Sequence, residues 1–376
     1  MIIIAPDKFK DSMTARQAAE SIARGVKAIL PDARLTLLPL SDGGEGLVEA
    51  LAGAAAASIE TSEVTGPLGF PVKARWGIIK RGKTAVIEMA AASGLALVPE
   101  DKRNPLLTTT YGTGELIKAA LDRGCRELII GIGGSATNDG GAGMAAALGV
   151  KFLDKDGKKL GYGGAELSRL VKLDRSGLDP RLQETAIKVA GDVDNPLTGP
   201  RGASQVYGPQ KGASRDMAEQ LDGALVNYAR VIKKELGINI ADVPGAGAAG
   251  GLGAGLIAFT GAEIYSGIDL VLDTLGIDRL LPRCRLLFTG EGRLDSQSVH
   301  GKVPIGVARR ARKHNVPVVA LAGSLEGSRE EFRSQGITAS FAIADGPLSL
   351  EESLARGPEL IEKLTAELIS LWKDLI

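Results

Sequence analysis

A chain of 376 residues is long enough for about two domains, each with its own core. Lysine plus arginine and aspartate plus glutamate balance at 45 each and aromatics make up only 4%, which sets aside nucleic acid and anionic membranes as partners. The 50 glycines follow no Gly-X-Y period and so signal many tight loops, while Cys125 and Cys284 are too few for a disulfide scaffold and fit a reduced, cytoplasmic protein.

In chain order, residues 2–5 read as a buried strand followed by a loop, Pro6-Asp7-Lys8-Phe9-Lys10-Asp11-Ser12. Asp7 and Lys8 arrive too early for the apolar core of a signal peptide. Thr14 and Gln17 have capping-box spacing ahead of a helix lined by Ala18, Ile22, Val26 and Ile29, which Pro31 stops. Residues 35–40 repeat the strand, and Ser41-Asp42-Gly43-Gly44-Glu45-Gly46 leads into a helix over 47–52. Asp7 and Asp42 therefore stand at the C-terminal edge of a sheet, where open α/β folds bind ligands. Asp42 suits either Mg2+ or proton chemistry, or equally a helix N-cap.

The texture changes from residue 61. A turn at 66–71, strands at 72–79 and 84–89 and a hairpin turn over 80–83 mark antiparallel pairing, foreign to a doubly wound sheet, so an inserted domain is expected here. Residues 90–94 and 108–114 read as small, hydroxyl-rich loops, 115–121 as a helix and 128–130 as a strand.

That strand feeds Gly131-Ile132-Gly133-Gly134-Ser135-Ala136-Thr137-Asn138-Asp139-Gly140-Gly141-Ala142-Gly143-Met144, with a helix over 144–148. A strand that breaks into glycines and opens a helix leaves backbone N–H groups for an anion. Ser135, Thr137 and Asn138 add hydrogen-bonding groups and Asp139 a carboxylate suited to a metal. Gly131-x-Gly133-x-x-Ala136 with Asp154 downstream also fits a dinucleotide fingerprint, and a plain tight turn would produce a similar pattern.

Further on, 150–153 and 156–158 read as a hairpin and 186–190 as a strand ending in Gly191-Asp192-Val193-Asp194-Asn195-Pro196. After Tyr207-Gly208-Pro209-Gln210-Lys211-Gly212 comes a helix over 214–235, then a glycine loop at 244–253 that includes Gly250 and Gly251. The last third returns to strand–loop–helix alternation: a strand at 286–289, the loop Gly290-Glu291-Gly292-Arg293-Leu294-Asp295, Gly301-Lys302 before a helix over 303–313, and strands at 316–322 and 340–344. A terminal helix presents Leu360, Leu364, Leu368, Leu371 and Leu375 on one face.

With only His300 and His314, histidine-based triads are poorly served; no Cys/His spacing suits zinc, and Gly292 and Gly301-Lys302 miss the Walker A pattern. What remains, acidic glycine loops with several lysines, suits phosphoryl transfer, which needs positioning, Mg2+ and a carboxylate base.

The motifs Ala5-Pro6-Asp7-Lys8-Phe9-Lys10, Ser41 to Gly46, 131–144, Asp192-Val193-Asp194-Asn195-Pro196-Leu197, Gly208-Pro209-Gln210-Lys211-Gly212 and Thr289-Gly290-Glu291-Gly292-Arg293-Leu294-Asp295 resemble, in this order, the type I glycerate kinases. Tyr111-Gly112-Thr113-Gly114-Glu115 and the loop at 248–253 resemble that family too; Asp11 departs from it, standing where a glycine is usual. The resemblance implies an ATP-dependent, Mg2+-requiring kinase of D-glycerate that makes 2-phosphoglycerate. It also implies an α/β architecture: a discontinuous Rossmann-like domain, mostly parallel and doubly wound (1–60 plus 255–376), and an inserted α/β domain with antiparallel hairpins (61–254). The placement of 105–149 is open and the active site is expected in the cleft between the domains.

Local chemistry supplies role expectations. Gly133, Gly134, Ser135, Thr137, Asn138, Gly140 and Gly141, with Gly250 and Gly251, form the nucleotide-binding set. Asp192 is the first choice of base and Asp42 the second; Lys10 and Lys211 neutralise the substrate carboxylate or the transferring phosphoryl group. Asp139, Glu291 or Asp295 faces Mg2+, and Asp7, Lys8, Asn195, Gln210, Arg293 and Lys302 are substrate-binding candidates. The alternatives are a kinase of a related hydroxy acid or one acting at the 3-hydroxyl, an NAD-dependent oxidoreductase using Gly131, Gly133 and Asp154, and a non-catalytic carboxylate binder. The oligomeric state is open, a homodimer among the options.

Overall fold

The computed structural model describes residues 1–54, 57–79, 82–296, 298 and 302–375; Lys80, His300 and Gly301 from the sequence reading lie outside the described residues. In chain order the strands are β1 (Ile2–Ile4), β2 (Leu35–Leu37), β3 (Ser58–Thr65), β4 (Pro71–Ile79), β5 (Thr84–Glu88), β6 (Glu127–Gly131), β7 (Lys151–Leu153), β8 (Lys172–Asp174), β9 (Ala186–Ala190), β10 (Glu263–Tyr265), β11 (Leu286–Leu294), β12 (Val318–Leu325) and β13 (Ala339–Ala342). The fold is mixed α/β. The chain divides into two units: Met1–Asp42, Glu49–Ala55 and Ser266–Ile376 form the first, Gly43–Val48 and Ala56–Tyr265 the second.

The first unit holds a parallel five-stranded sheet in the order β13-β12-β11-β1-β2. Ile2, Ile3 and Ile4 are all buried, the pattern of a strand covered on both faces. The chain leaves β1 toward β2 and later leaves β11 toward β12 on the opposite side, so the topological switch point lies between β1 and β11. The capping box of Thr14 and Gln17 is formed and opens the helix Ala15–Ile29. That helix packs on the terminal helix Gly357–Leu375 at Gly25, where a Cβ would stand 2.4 Å from the Glu362 carbonyl oxygen. The terminal helix buries Leu360, Ile361 and Ile369 and lays Leu364, Leu368 and Trp372 against them. Leu371 is 62% exposed instead of core-facing, since the buried stripe follows 361–365–369; the side chain of Leu375 is outside the described set.

The second unit is built on a six-stranded sheet, β10-β9-β6-β5-β4-β3, parallel from β10 to β5 and antiparallel from β5 to β3. The β4–β5 pair matches the expected hairpin, whereas β3 is an additional strand, absent from the sequence expectation because Ser58–Thr65 is largely polar. The helix at 115–121 starts earlier, at Tyr111, and its first turn carries Gly112 and Gly114 because a Cβ there would stand 1.9 Å from the Thr65 carbonyl oxygen and 2.3 Å from that of Met144. The expected hairpin at 150–158 forms as a short antiparallel turn, the Asp154 N–H donating to the Lys158 carbonyl and the Leu160 N–H to the Phe152 carbonyl (2.9 Å each), while β7 pairs along its length with β8. One core cluster around Trp76, Ile87, Leu116 and Ile130 backs the large sheet; a second gathers Phe152, Tyr228 and Phe259.

Candidate functional site

In the first unit, the C-terminal ends of the strands at the switch point carry carboxylates. Asp7 follows β1, its backbone N–H donating to the Gly290 carbonyl (2.8 Å), and its own Oδ1 accepts from the Lys8 N–H (2.7 Å). Burial, and then the charges of Asp42 and Glu291, push the Asp7 carboxyl up to about 7. Strand β11 runs on through Leu294, beyond the Thr289 end expected from sequence, because β12 pairs with it as far as Leu294↔Leu325. Glu291 is therefore a strand residue.

Glu291 is 6% exposed. Its Oε2 faces the Lys302 ammonium at 3.4 Å, and its Oε1 has no hydrogen-bond partner among the described residues. Burial pushes its carboxyl up, against the pull of Ser298 and Lys302. Asp295 accepts from the Ser298 N–H (3.0 Å) and lies 3.9 Å from Lys302. Among the described residues no three His, Cys, Asp or Glu side chains form a ready-made metal cage. Mg2+ commonly needs only one or two protein carboxylates, phosphate oxygens and water completing its shell. A buried carboxylate oxygen without a partner, beside two further acids, fits that requirement. Arg293 is exposed and pairs with Glu326 and Asp295; Lys10 is exposed and Lys8 half-buried.

In the second unit, β5, β6 and β9 end in register, Glu88 beside Gly131 and Gly131 beside Ala190. Three loops therefore leave one sheet edge side by side. Glu88 accepts from the backbone N–H groups of Gly46 (3.2 Å) and Val48 (2.8 Å), so it, a residue the sequence did not single out, caps the helix at Leu47–Ala54. Gly133 and Gly134 are exposed; a Cβ on Gly131 would stand 2.3 Å from the Gly43 carbonyl, so the two glycine loops pack on each other. Asp192 is exposed two residues beyond the end of β9, and Gly191 lies against Ile132 of the glycine loop.

Beyond Gly134 the loop turns inward. Ser135, Thr137, Asn138 and Asp139 are buried. Asp139 accepts from the Thr110 N–H (2.8 Å) and hydroxyl (2.9 Å) and from the N–H groups of Gly141 (3.1 Å) and Gly143 (3.2 Å). Its carboxylate thus closes its own loop, and burial pushes its pKa up. Gly140 and Gly141 take positive φ, as do Ala249, Gly250 and Gly251, which kink the helix Ala248–Thr260 against Thr137. Asn138 donates to the Ser204 hydroxyl (2.7 Å). Asn195 accepts from the Tyr207 hydroxyl and donates to the Arg201 carbonyl (2.7 Å each), and Gln210 is exposed. Asp154 accepts from Asp156, Lys158 and Arg169 and closes a turn, which removes the ribose anchor of the dinucleotide reading.

Of the residues missed from sequence, Thr110 and Glu88 act through contacts distant in the chain, whereas Ser298 bonds Asp295 three positions away. Only the threonine run at 108–110 carried a signal, as a hydroxyl-rich loop.

Parallel strands ending in glycine loops and carboxylates define an α/β protein of the class that binds ligands at the C-terminal edge of its sheets. The family model "Glycerate kinase family" matches residues 2–373. The chain is 52% identical to a glycerate kinase of Bacillus subtilis over 99% of its length and 97% of the relative's. It is 54% identical to a glycerate 2-kinase of Escherichia coli, covering 94% of this chain and 92% of that one. A solved Salmonella typhimurium structure, proposed as a glycerate kinase 2, superposes with a TM-score of 0.90 at 48% identity, covering 99% of this chain and 98% of that chain. The chain belongs to the glycerate kinase family, and it is an enzyme.

Proposed function

We propose that this enzyme transfers the γ-phosphoryl group of ATP to the 2-hydroxyl of D-glycerate, giving 2-phosphoglycerate and ADP. The observation that supports this most directly is the 54% identity to a relative named glycerate 2-kinase. We place the reaction in the cytoplasm, in accord with two free cysteines; among the described residues no helix is long and apolar enough to cross a membrane.

In the second unit, Gly133 and Gly134 offer backbone unobstructed by side chains to the ATP phosphates. Asp192, leaving the sheet edge beside that loop, accepts the proton of the glycerate hydroxyl; the oxygen bonds to the γ-phosphorus as its bond to the β–γ bridging oxygen breaks. In the first unit, Glu291, with Asp295 and the neighbouring Asp7 and Asp42, is assigned to Mg2+, which when bound neutralises charge on the phosphate oxygens. Asp139 is assigned a structural role, since its oxygens already hold four protein donors.

ADP release with a panel of hydroxy acids tests the proposal. Turnover with D-glycerate and Mg-ATP is the expected result; turnover only with another acid overturns the substrate assignment.

A further inference from the structure

Lys211 is expected from sequence against the substrate or the transferring phosphoryl group, and its position in the fold points elsewhere. The residue is 1% exposed, at the end of a tight turn, Pro209–Lys211, that Gly212 closes with a positive φ. Its Nζ donates to the Thr137 carbonyl oxygen at 2.7 Å. Burial pushes the ammonium down to about 7, while Asp139 pulls the other way. A buried amine is costly, and a well-packed apolar side chain of similar size is often at least as stable. The amine therefore suits specifying one backbone course over adding stability.

The neighbouring contacts share that logic. The Ala136 carbonyl accepts from the Thr108 hydroxyl (2.8 Å), the Gly140 carbonyl from the Tyr228 hydroxyl (3.0 Å), and Asp139 from Thr110. From 136 to 140 the loop is held from inside by buried side chains, and Gly250 presses on Thr137 from the kinked helix. We propose that Lys211 is a positioning residue that clamps the Thr137 carbonyl, fixes the course of the 131–141 glycine loop, and acts on nucleotide only through that loop. The effect on nucleotide rests on the reading of that loop as the phosphate site; the clamp itself does not.

Two variants separate clamp from charge: Lys211→Met removes the donor, and Lys211→Gln keeps an N–H donor without the charge. Hydrogen exchange on the ligand-free full chain is expected to show amides of 131–144 exchanging about 10-fold faster in Lys211→Met and near wild type in Lys211→Gln. The ATP KM is expected to rise about 10- to 100-fold in Lys211→Met with the D-glycerate KM little changed, and to recover in Lys211→Gln. If loop exchange is unchanged in the variants while both lose activity, Lys211 acts on the ligand by its charge and the proposal falls. Should Lys211→Met not fold, Lys211→Gln decides alone: an intact loop with wild-type ATP KM supports the clamp, and an intact loop with a raised ATP KM overturns it. Absence of D-glycerate turnover in the wild type would count against the kinase reading only, because exchange is measured without nucleotide.

Discussion

Asp7 shows how burial turns an ordinary acid into a sensitive group. Its folded-state pKa of about 7 lies above the usual 3.8, so between about pH 4 and 7 the folded protein holds a proton that the unfolded chain has released. The stability this group contributes is present below pH 4 and lost as pH rises through 7. Asp7→Asn is accordingly expected to raise Tm at pH 8 by ~2 °C, with the gain vanishing toward pH 4; a pH-independent difference would contradict the assignment. For catalysis, Asp192→Asn should lower kcat by about 10^2- to 10^4-fold with nucleotide affinity unchanged, as measured by steady-state kinetics and calorimetry. A near-normal rate would move the base to Asp42 or Asp7. The placement of Asp192 and Glu291 toward the C-terminal ends of strands was legible in the sequence because each follows a mostly apolar run. Asp139 and Lys211 were not: what sets their roles is burial against Thr110 and Thr137, 29 and 74 positions away.

At the scale of elements, local chemistry was readable wherever it acts locally. The Thr14–Gln17 capping box and the helix capped by Ser214 lie where the sequence placed them. Close backbone approaches were not readable, since a glycine in a first helical turn looks like a loop until its neighbour is known. Gly250 and Gly261 test that distinction. Both have positive φ, but a Cβ at Gly250 would stand 1.9 Å from the Thr137 carbonyl oxygen, whereas none of the atoms near Gly261 lies within 4 Å. Gly261→Ala should cost about 1 kcal/mol in chemical denaturation, the left-handed penalty alone, and leave kinetics unchanged. Gly250→Ala should cost more than Gly261→Ala and, if the 131–141 loop holds the nucleotide as proposed, raise the ATP KM, because that loop must shift. Equal costs would show that the packing against Thr137 carries no weight.

At the scale of the molecule, the alternation of strand, loop and helix in the first and last thirds made the parallel sheet of the first unit legible. The order of its strands, and with it the switch point between β1 and β11, comes from pairing between segments more than 280 residues apart. That pairing brings Asp7 and Glu291 to one edge. If Glu291 serves Mg2+, the metal together with ADP should raise the Tm of the wild type, and Glu291→Gln should lose most of that shift while remaining folded without metal. An undiminished shift would place the metal elsewhere. Phosphorylation of the 2-hydroxyl is read directly by proton-coupled phosphorus NMR of the product. C2 of glycerate bears one hydrogen and C3 bears two, so 2-phosphoglycerate, the expected product, gives a phosphorus doublet; a triplet would place the phosphate on C3 and overturn the 2-kinase assignment.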